Sequence, residues 1–120
     1  MRRDRLGKLG EAIAARALER AGLRVIARNA RFPEGEIDII AQEGETLVFV
    51  EVRARRGDAF GTPEGSVTRR KQERLVRAAQ RYLQGHSLEA VDWRIDLVAV
   101  EFASNGRLLR VDHLRAVVEE

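Results

Sequence analysis

Two apolar runs that each contain a carboxylate constrain this chain more than any other feature. Gly35-Glu36-Ile37-Asp38-Ile39-Ile40 is followed closely by Leu47-Val48-Phe49-Val50-Glu51-Val52-Arg53. Both read as β-strands, and near-continuous apolar strands lie inside a sheet covered on both faces. An ionised carboxylate is costly to remove from water unless it is paired or binds a metal. Asp38 and Glu51 therefore call for a compensating cation. Glu43-Gly44-Glu45 between the runs is a hairpin signal, which brings the two acids toward one end of a hairpin.

The net charge of +3 hides a segregated pattern. Residues 1–31 carry 9 Lys/Arg against 3 Asp/Glu, residues 32–52 carry 6 acids and no base, and residues 53–81 again carry 9 bases against 3 acids. An acidic centre between basic flanks suits a polyanion held by arginines while a metal sits among carboxylates. The alternative is an Arg-rich surface with no target, as ion-pair-rich thermostable proteins also carry. With no cysteine and 2 histidines, disulfides and thiolate metal sites are excluded and an oxygen-ligand site is favoured over zinc. No apolar run approaches the ~20 residues of a membrane span, and the Arg-rich start lacks the apolar stretch of a signal peptide. The expectation is one domain over residues 1–120, cytoplasmic and without a membrane partner.

Hydrophobic periodicity predicts a helix over residues 5–21, with Leu6, Leu9, Ile13, Ala14, Ala17, Leu18 and Ala21 on one arc and Gly22 as its stop. Residues 23–29 alternate as a strand, and 31–35 form a turn. After the acidic hairpin, residues 54–66 read as a polar loop. A second helix spans about 68–84 behind a Ser66 or Thr68 cap. Residues 93–102 and 107–111 read as strands around a Ser104-Asn105-Gly106 turn, and the tail reads as a short helical turn. The order α-β-β-β-α-β-β implies an α/β domain, a mixed central sheet of about five strands flanked by helices.

Alternate strand residues share a face, so Glu51 and Arg53 point one way and Val48, Val50 and Val52 the other. Converging carboxylates can hold Mg²⁺ or Mn²⁺, which lowers the pKa of bound water and polarises a phosphoryl oxygen. The competing reading is an ion pair of Arg53 with Asp38 or Glu51 that closes a sheet edge. Glu11 lies at the border of the first helix's apolar arc, where it either reaches over the sheet or is solvated. Gly7 and Gly10 before it lower helix propensity, and either permit close approach of a backbone or phosphate or mark a frayed first turn. Arg70, Arg74, Arg77 and Arg81 form one stripe on the second helix, a phosphate reader or a solvated face. Lys71 and Gln72 look back toward the sheet. Asp96 inside its apolar strand implies an ion pair with a sheet arginine.

Taken together, Gly10-Glu11, Asn29, Gly35-Glu36-Ile37-Asp38, Phe49-Val50-Glu51-Val52-Arg53, Phe60-Gly61-Thr62-Pro63, Lys71-Gln72 and Arg94-Ile95-Asp96-Leu97-Val98 resemble the YraN-like family of bacterial proteins. They also resemble the PD-(D/E)XK nuclease signature, with the spacing of archaeal Holliday-junction resolvases. The resemblance covers nearly the whole chain. It implies a restriction-endonuclease-like three-layer core and a metal-dependent endonuclease acting on nucleic acid, DNA before RNA, on branched or damaged substrates. Asp38 and Glu51 would hold Mg²⁺ or Mn²⁺, Glu11 would ligate through water or orient the nucleophile, and Arg53 and Lys71 would stabilise transition-state charge. Arg55, Arg56, Arg70, Arg74 and Arg77 would grip phosphates. The analogy to resolvases, which make paired cuts, implies a homodimer. One position departs from the pattern: the superfamily lysine is Arg53 here. An arginine stays protonated and cannot act as a base. Either the metal-bound water needs no such base, or Lys71 takes over, or the chain is a catalytically weak or inactive binding module or interaction scaffold.

Overall fold

In a computed structural model, residues 2–57 and 61–118 are described. The chain forms α1 (Arg2–Arg20), β1 (Arg24–Phe32), β2 (Gly35–Glu43), β3 (Thr46–Arg56), a 3-10 turn (Glu64–Ser66), α2 (Arg69–Gly85), β4 (Trp93–Phe102) and β5 (Leu108–Leu114). The expected element order holds. One sheet takes the spatial order β1-β2-β3-β4-β5, antiparallel except for the β3–β4 pair. Parallel neighbours need a long crossover, and α2 supplies it.

The two faces of the sheet carry separate apolar cores. Ala14, Ala15 and Leu18 of α1 pack on Ile39, Ala41, Val48, Val50, Val98 and Val100. Leu75, Ala78, Ala79 and Leu83 of α2 pack on the other face against Ile37, Ile40, Leu47, Phe49 and Ile95. Three layers result, and this double cover is why the central strands read as unbroken apolar runs. Thr68 caps α2 by accepting the Lys71 backbone N–H at 3.2 Å. Gly44, at φ +60°, opens the two-residue turn between β2 and β3.

Several boundaries differ from the sequence expectation. β1 runs on to Phe32, leaving only Pro33 and Glu34 as the turn, because Arg31 and Phe32 stay paired with Glu36 and Gly35. β3 continues to Arg56 alongside β4, which shortens the expected loop, and Phe60 lies outside the described residues. The tail makes no helical turn through residue 118. Its Val117 N–H donates to the Ile95 carbonyl at 2.9 Å. Among the described residues no helix is long and apolar enough to cross a membrane.

Candidate metal centre

β2 and β3 pair from Glu43↔Thr46 to Ile39↔Val50, and there the ladder stops. One step further Asp38 faces Glu51. Its Oδ2 accepts the Val52 N–H at 2.8 Å, so the aspartate takes over a backbone donor just where the strands part. Strict alternation fails at the same place. Ile37 and Ile39 are two apart and would share a face in a regular strand, yet they contribute to opposite cores. On the other side of β2, Asn29 falls between the pairs Arg28↔Ile39 and Ala30↔Ile37 with φ +55°, a left-handed conformation that asparagine tolerates. The local irregularity sets Asp38 apart from both apolar layers.

The carboxyls of Asp38 and Glu51 come within hydrogen-bonding reach of each other. Burial, and then the Glu51 charge, push the Asp38 carboxyl up to about 7, against the opposing Val52 N–H. Burial also raises Glu51, opposed by its hydrogen bond with Asp38 and by the charges of Arg53 and Lys71. Glu51 is 14% exposed, so the pair sits at a rim that solvent can reach. Two neighbouring carboxyls that resist full ionisation share a proton. A hard divalent cation could take the place of such a proton, since the donors are carboxylate oxygens without thiols.

Glu11 comes from the α1 side, also 14% exposed, with its carboxyl raised by burial and by the Asp38 charge. Arg28 Nη2 lies 3.9 Å from its Oε1, and the Asn29 side chain hydrogen-bonds it. Gly10 lets the helix come this close. A Cβ there would lie 3.1 Å from Ala54 Cβ and 3.7 Å from Val52 Cγ1. Among the described residues no three His, Cys, Asp or Glu side chains gather tightly enough to hold a metal ion. Glu11 therefore does not join Asp38 and Glu51 in a three-carboxylate cluster.

On the α2 side, Arg53 Nε donates to Ser66 Oγ at 2.9 Å and its Nη1 lies 3.5 Å from Glu51 Oε2. The edge-closing ion pair therefore exists and coexists with the carboxyl pair. Lys71, in the first turn of α2, is near enough to lower the Glu51 pKa. Arg70, Arg74 and Arg77 are exposed on α2. Arg74 overlies the start of β2, its Cβ 3.8 Å from the position a Gly35 Cβ would take. Arg81 leaves the expected stripe. Its Nε donates to Glu34 Oε1 at 3.3 Å, and this hydrogen bonding holds Glu34 below the usual carboxylate range. Arg55 and Arg56 end β3 beyond Arg53, and Arg56 Nε donates to the Ser104 carbonyl at 3.2 Å.

Sequence reasoning gave no role to Arg28 or His113, and offered Ser66 only as an alternative to Thr68 for the α2 cap, a place that Thr68 takes. Arg28 and Ser66 touch the site only through the fold and carried no local signal of it. Asn29 carried one, as a residue suited to positive φ. Asp96, 0% exposed, does pair with a sheet arginine, Arg94 Nε at 2.9 Å. It also holds His113 Nε2 at 2.7 Å and the Ala116 N–H at 2.9 Å. It is a structural anchor on the sheet, not part of the carboxyl pair.

A family profile described as "Uncharacterised protein family UPF0102" matches residues 10–100. A UPF0102 protein of Beutenbergia cavernae is 50% identical over 115 residues, 96% of this chain and 97% of that protein. One from Symbiobacterium thermophilum is 52% identical over 104 residues, 87% of this chain and 88% of that protein. One from Chloroflexus aurantiacus is 48% identical over 118 residues, covering 97% and 94%.

Proposed function

We propose that this chain, which belongs to the UPF0102 family, is a nucleic-acid-binding protein that hydrolyses phosphodiester bonds with a divalent metal. The observation that carries the reading is the Asp38–Glu51 carboxyl pair, raised in pKa at a solvent-reachable rim between arginine-bearing elements. In this reading the domain is of the PD-(D/E)XK, restriction-endonuclease-like type. The three-layer arrangement around a five-stranded mixed sheet supports that assignment. DNA is the preferred substrate, branched or damaged, and two copies act together on the two strands.

Asp38 and Glu51 would hold Mg²⁺ or Mn²⁺, which supplies an acidified water and a Lewis acid for a phosphoryl oxygen. The Val52 N–H fixes the Asp38 carboxylate, and Arg53 bears on Glu51. Arg53, tethered by Ser66, presents a guanidinium that can orient phosphate and offset charge but cannot take a proton. Lys71 supplies a second cation near Glu51. Glu11, raised by burial and held by Arg28 and Asn29, can orient a water beside Asp38. Arg55, Arg56, Arg70, Arg74 and Arg77 bind the phosphate backbone through forked donors.

The double engagement of Arg53 favours a second reading, a nucleic-acid binder without catalysis. A panel of single-stranded, duplex and branched DNA incubated with Mg²⁺ or Mn²⁺ separates the two. Cleavage that disappears with chelator and with Asp38→Ala is the expected result. Cleavage that survives Asp38→Ala rules out the metal mechanism. Salt-sensitive binding with no cleavage of any substrate establishes the second reading.

A further inference from the structure

A cavity of about 180 Å³ opens beside the carboxyl pair on the α2 face, and Glu51 forms part of its wall. Leu75, Leu97, Leu114, Val117 and Val67 make most of the remaining lining, with Gln72 and Glu64 as its other polar members. At about 30 Å³ per water the cavity equals some six waters. It is smaller than a drug-sized pocket of roughly 300–1,000 Å³ and suits a single planar ring system. The walls come from α2, β3, β4, β5, the 3-10 turn and the pinned tail. Two ties hold the turn: Arg53 Nε to Ser66 Oγ at 2.9 Å, and Arg110 Nη2 to Glu64 Oε1 at 3.0 Å. The roof is held by the Val117 N–H on the Ile95 carbonyl at 2.9 Å.

The charge of the lining decides what can enter. The lining holds no Lys or Arg to receive a phosphate, and Glu64 is already paired with Arg110, so a polyanion's backbone stays outside, against Arg53, Lys71 and the α2 arginines. A neutral, flat, largely apolar group with polar edges suits the interior. Gln72 offers both amide donors and an acceptor for such an edge, and Glu51 offers acceptors only. A nucleobase has this chemistry, and one swung out of its stack beside a phosphate held against Arg53 and Lys71 would lie next to the opening.

We infer that this cavity is a subsite for an unpaired nucleobase flanking a phosphate held against Arg53 and Lys71, beside the carboxyl pair. The inference rests on the proposed nucleic-acid function and narrows its substrate to sites where a base is free to leave the duplex. Unstacking is least costly at an unpaired or mismatched base, so the subsite selects damaged or distorted DNA without reading sequence.

Binding by fluorescence anisotropy in chelator tests the subsite independently of cleavage. The probes are an uninterrupted duplex, the same duplex with one unpaired adenine, and that duplex with an abasic residue replacing the adenine. The unpaired adenine should bind about tenfold more tightly than the abasic duplex, because only the base buries apolar surface in the cavity. Val67→Phe, which fills the cavity from a half-buried position outside the proposed catalytic group, should erase that difference and leave the uninterrupted duplex unaffected. Equal affinity for adenine and abasic duplexes in the unmodified protein overturns the subsite and assigns the cavity to another occupant, such as an apolar protein side chain. A preference that persists in Val67→Phe overturns it as well. Failure to bind any of the three duplexes removes the functional reading itself, and the subsite with it.

Discussion

Asp38 is the residue on which the proposed chemistry turns, and its protonation makes a stability claim. Its carboxyl is raised from 3.8 to about 7, so between those values the folded chain holds a proton that the unfolded chain has released. This contribution to stability is present at low pH. It falls as pH rises from about 4 and is gone above about 7. Asp38→Asn removes the ionisable group, and the Asn amide oxygen can still accept the Val52 N–H. In metal-free buffer the variant should exceed the parent in stability by on the order of 2 kcal/mol at pH 8, with a smaller gain at pH 5. Urea denaturation at the two pH values checks this, and equal gains would contradict the raised carboxyl. The meeting of Asp38 with Glu51 was legible in the sequence, because a short turn between two acid-bearing strands leaves few registers. The Val52 contact was not. It depends on where the ladder stops, and strand separation has no local residue signature. His113 was unreadable for a similar reason: its partner Asp96 lies 17 positions away on a neighbouring strand.

Among the elements, α1 shows how two glycines of one helix differ in purpose. A Cβ at Gly7 would meet nothing within 4 Å, whereas one at Gly10 would press on Ala54 Cβ at 3.1 Å. Gly→Ala in a helix interior is worth about 0.5–1 kcal/mol. Gly7→Ala should therefore raise the melting temperature by a few degrees. Gly10→Ala should gain little or lose, since the propensity term is set against a displaced helix. If the thermal shifts of the two variants matched, the close α1–β3 approach would be wrong. The sequence marked both glycines as departures from good helix composition and left open which one had a packing reason. Only the strand lying under the helix distinguishes them. The α2 stripe teaches the same lesson. Its spacing was visible, but the capture of Arg81 by Glu34 follows from the β1–β2 turn being brought beside α2, a contact 47 residues apart.

For the whole molecule, the alternation of basic and acidic segments along the chain becomes an acidic rim with arginines on the neighbouring elements. Exposed arginines that contact phosphates release counterions, with a slope of log K against log salt of about 0.9 per contact on duplex DNA. The variant Arg70→Ala/Arg74→Ala/Arg77→Ala should flatten that slope by about 2–3, measured by titration across salt concentrations. An unchanged slope would mean the α2 stripe is a solvated face. The α-β-β-β-α-β-β order and the mixed sheet were readable from periodicity and turns, since both sheet faces are covered and the central strands carry the pattern of that cover. Edge and loop boundaries were less so, because pairing partners rather than composition extend β1 and β5.

The two-residue turn at Gly44 and Glu45 has a kinetic consequence. It makes β2–β3 one of the pairings with the shortest loop to close, and such local contacts form early in folding. The like charges of Asp38 and Glu51 must then be pressed together on the way up the barrier, before a bound cation can relieve them. Refolding should run faster in mildly acidic buffer than at pH 8 when both are free of metal, a difference that stopped-flow mixing would reveal and that Asp38→Asn would abolish.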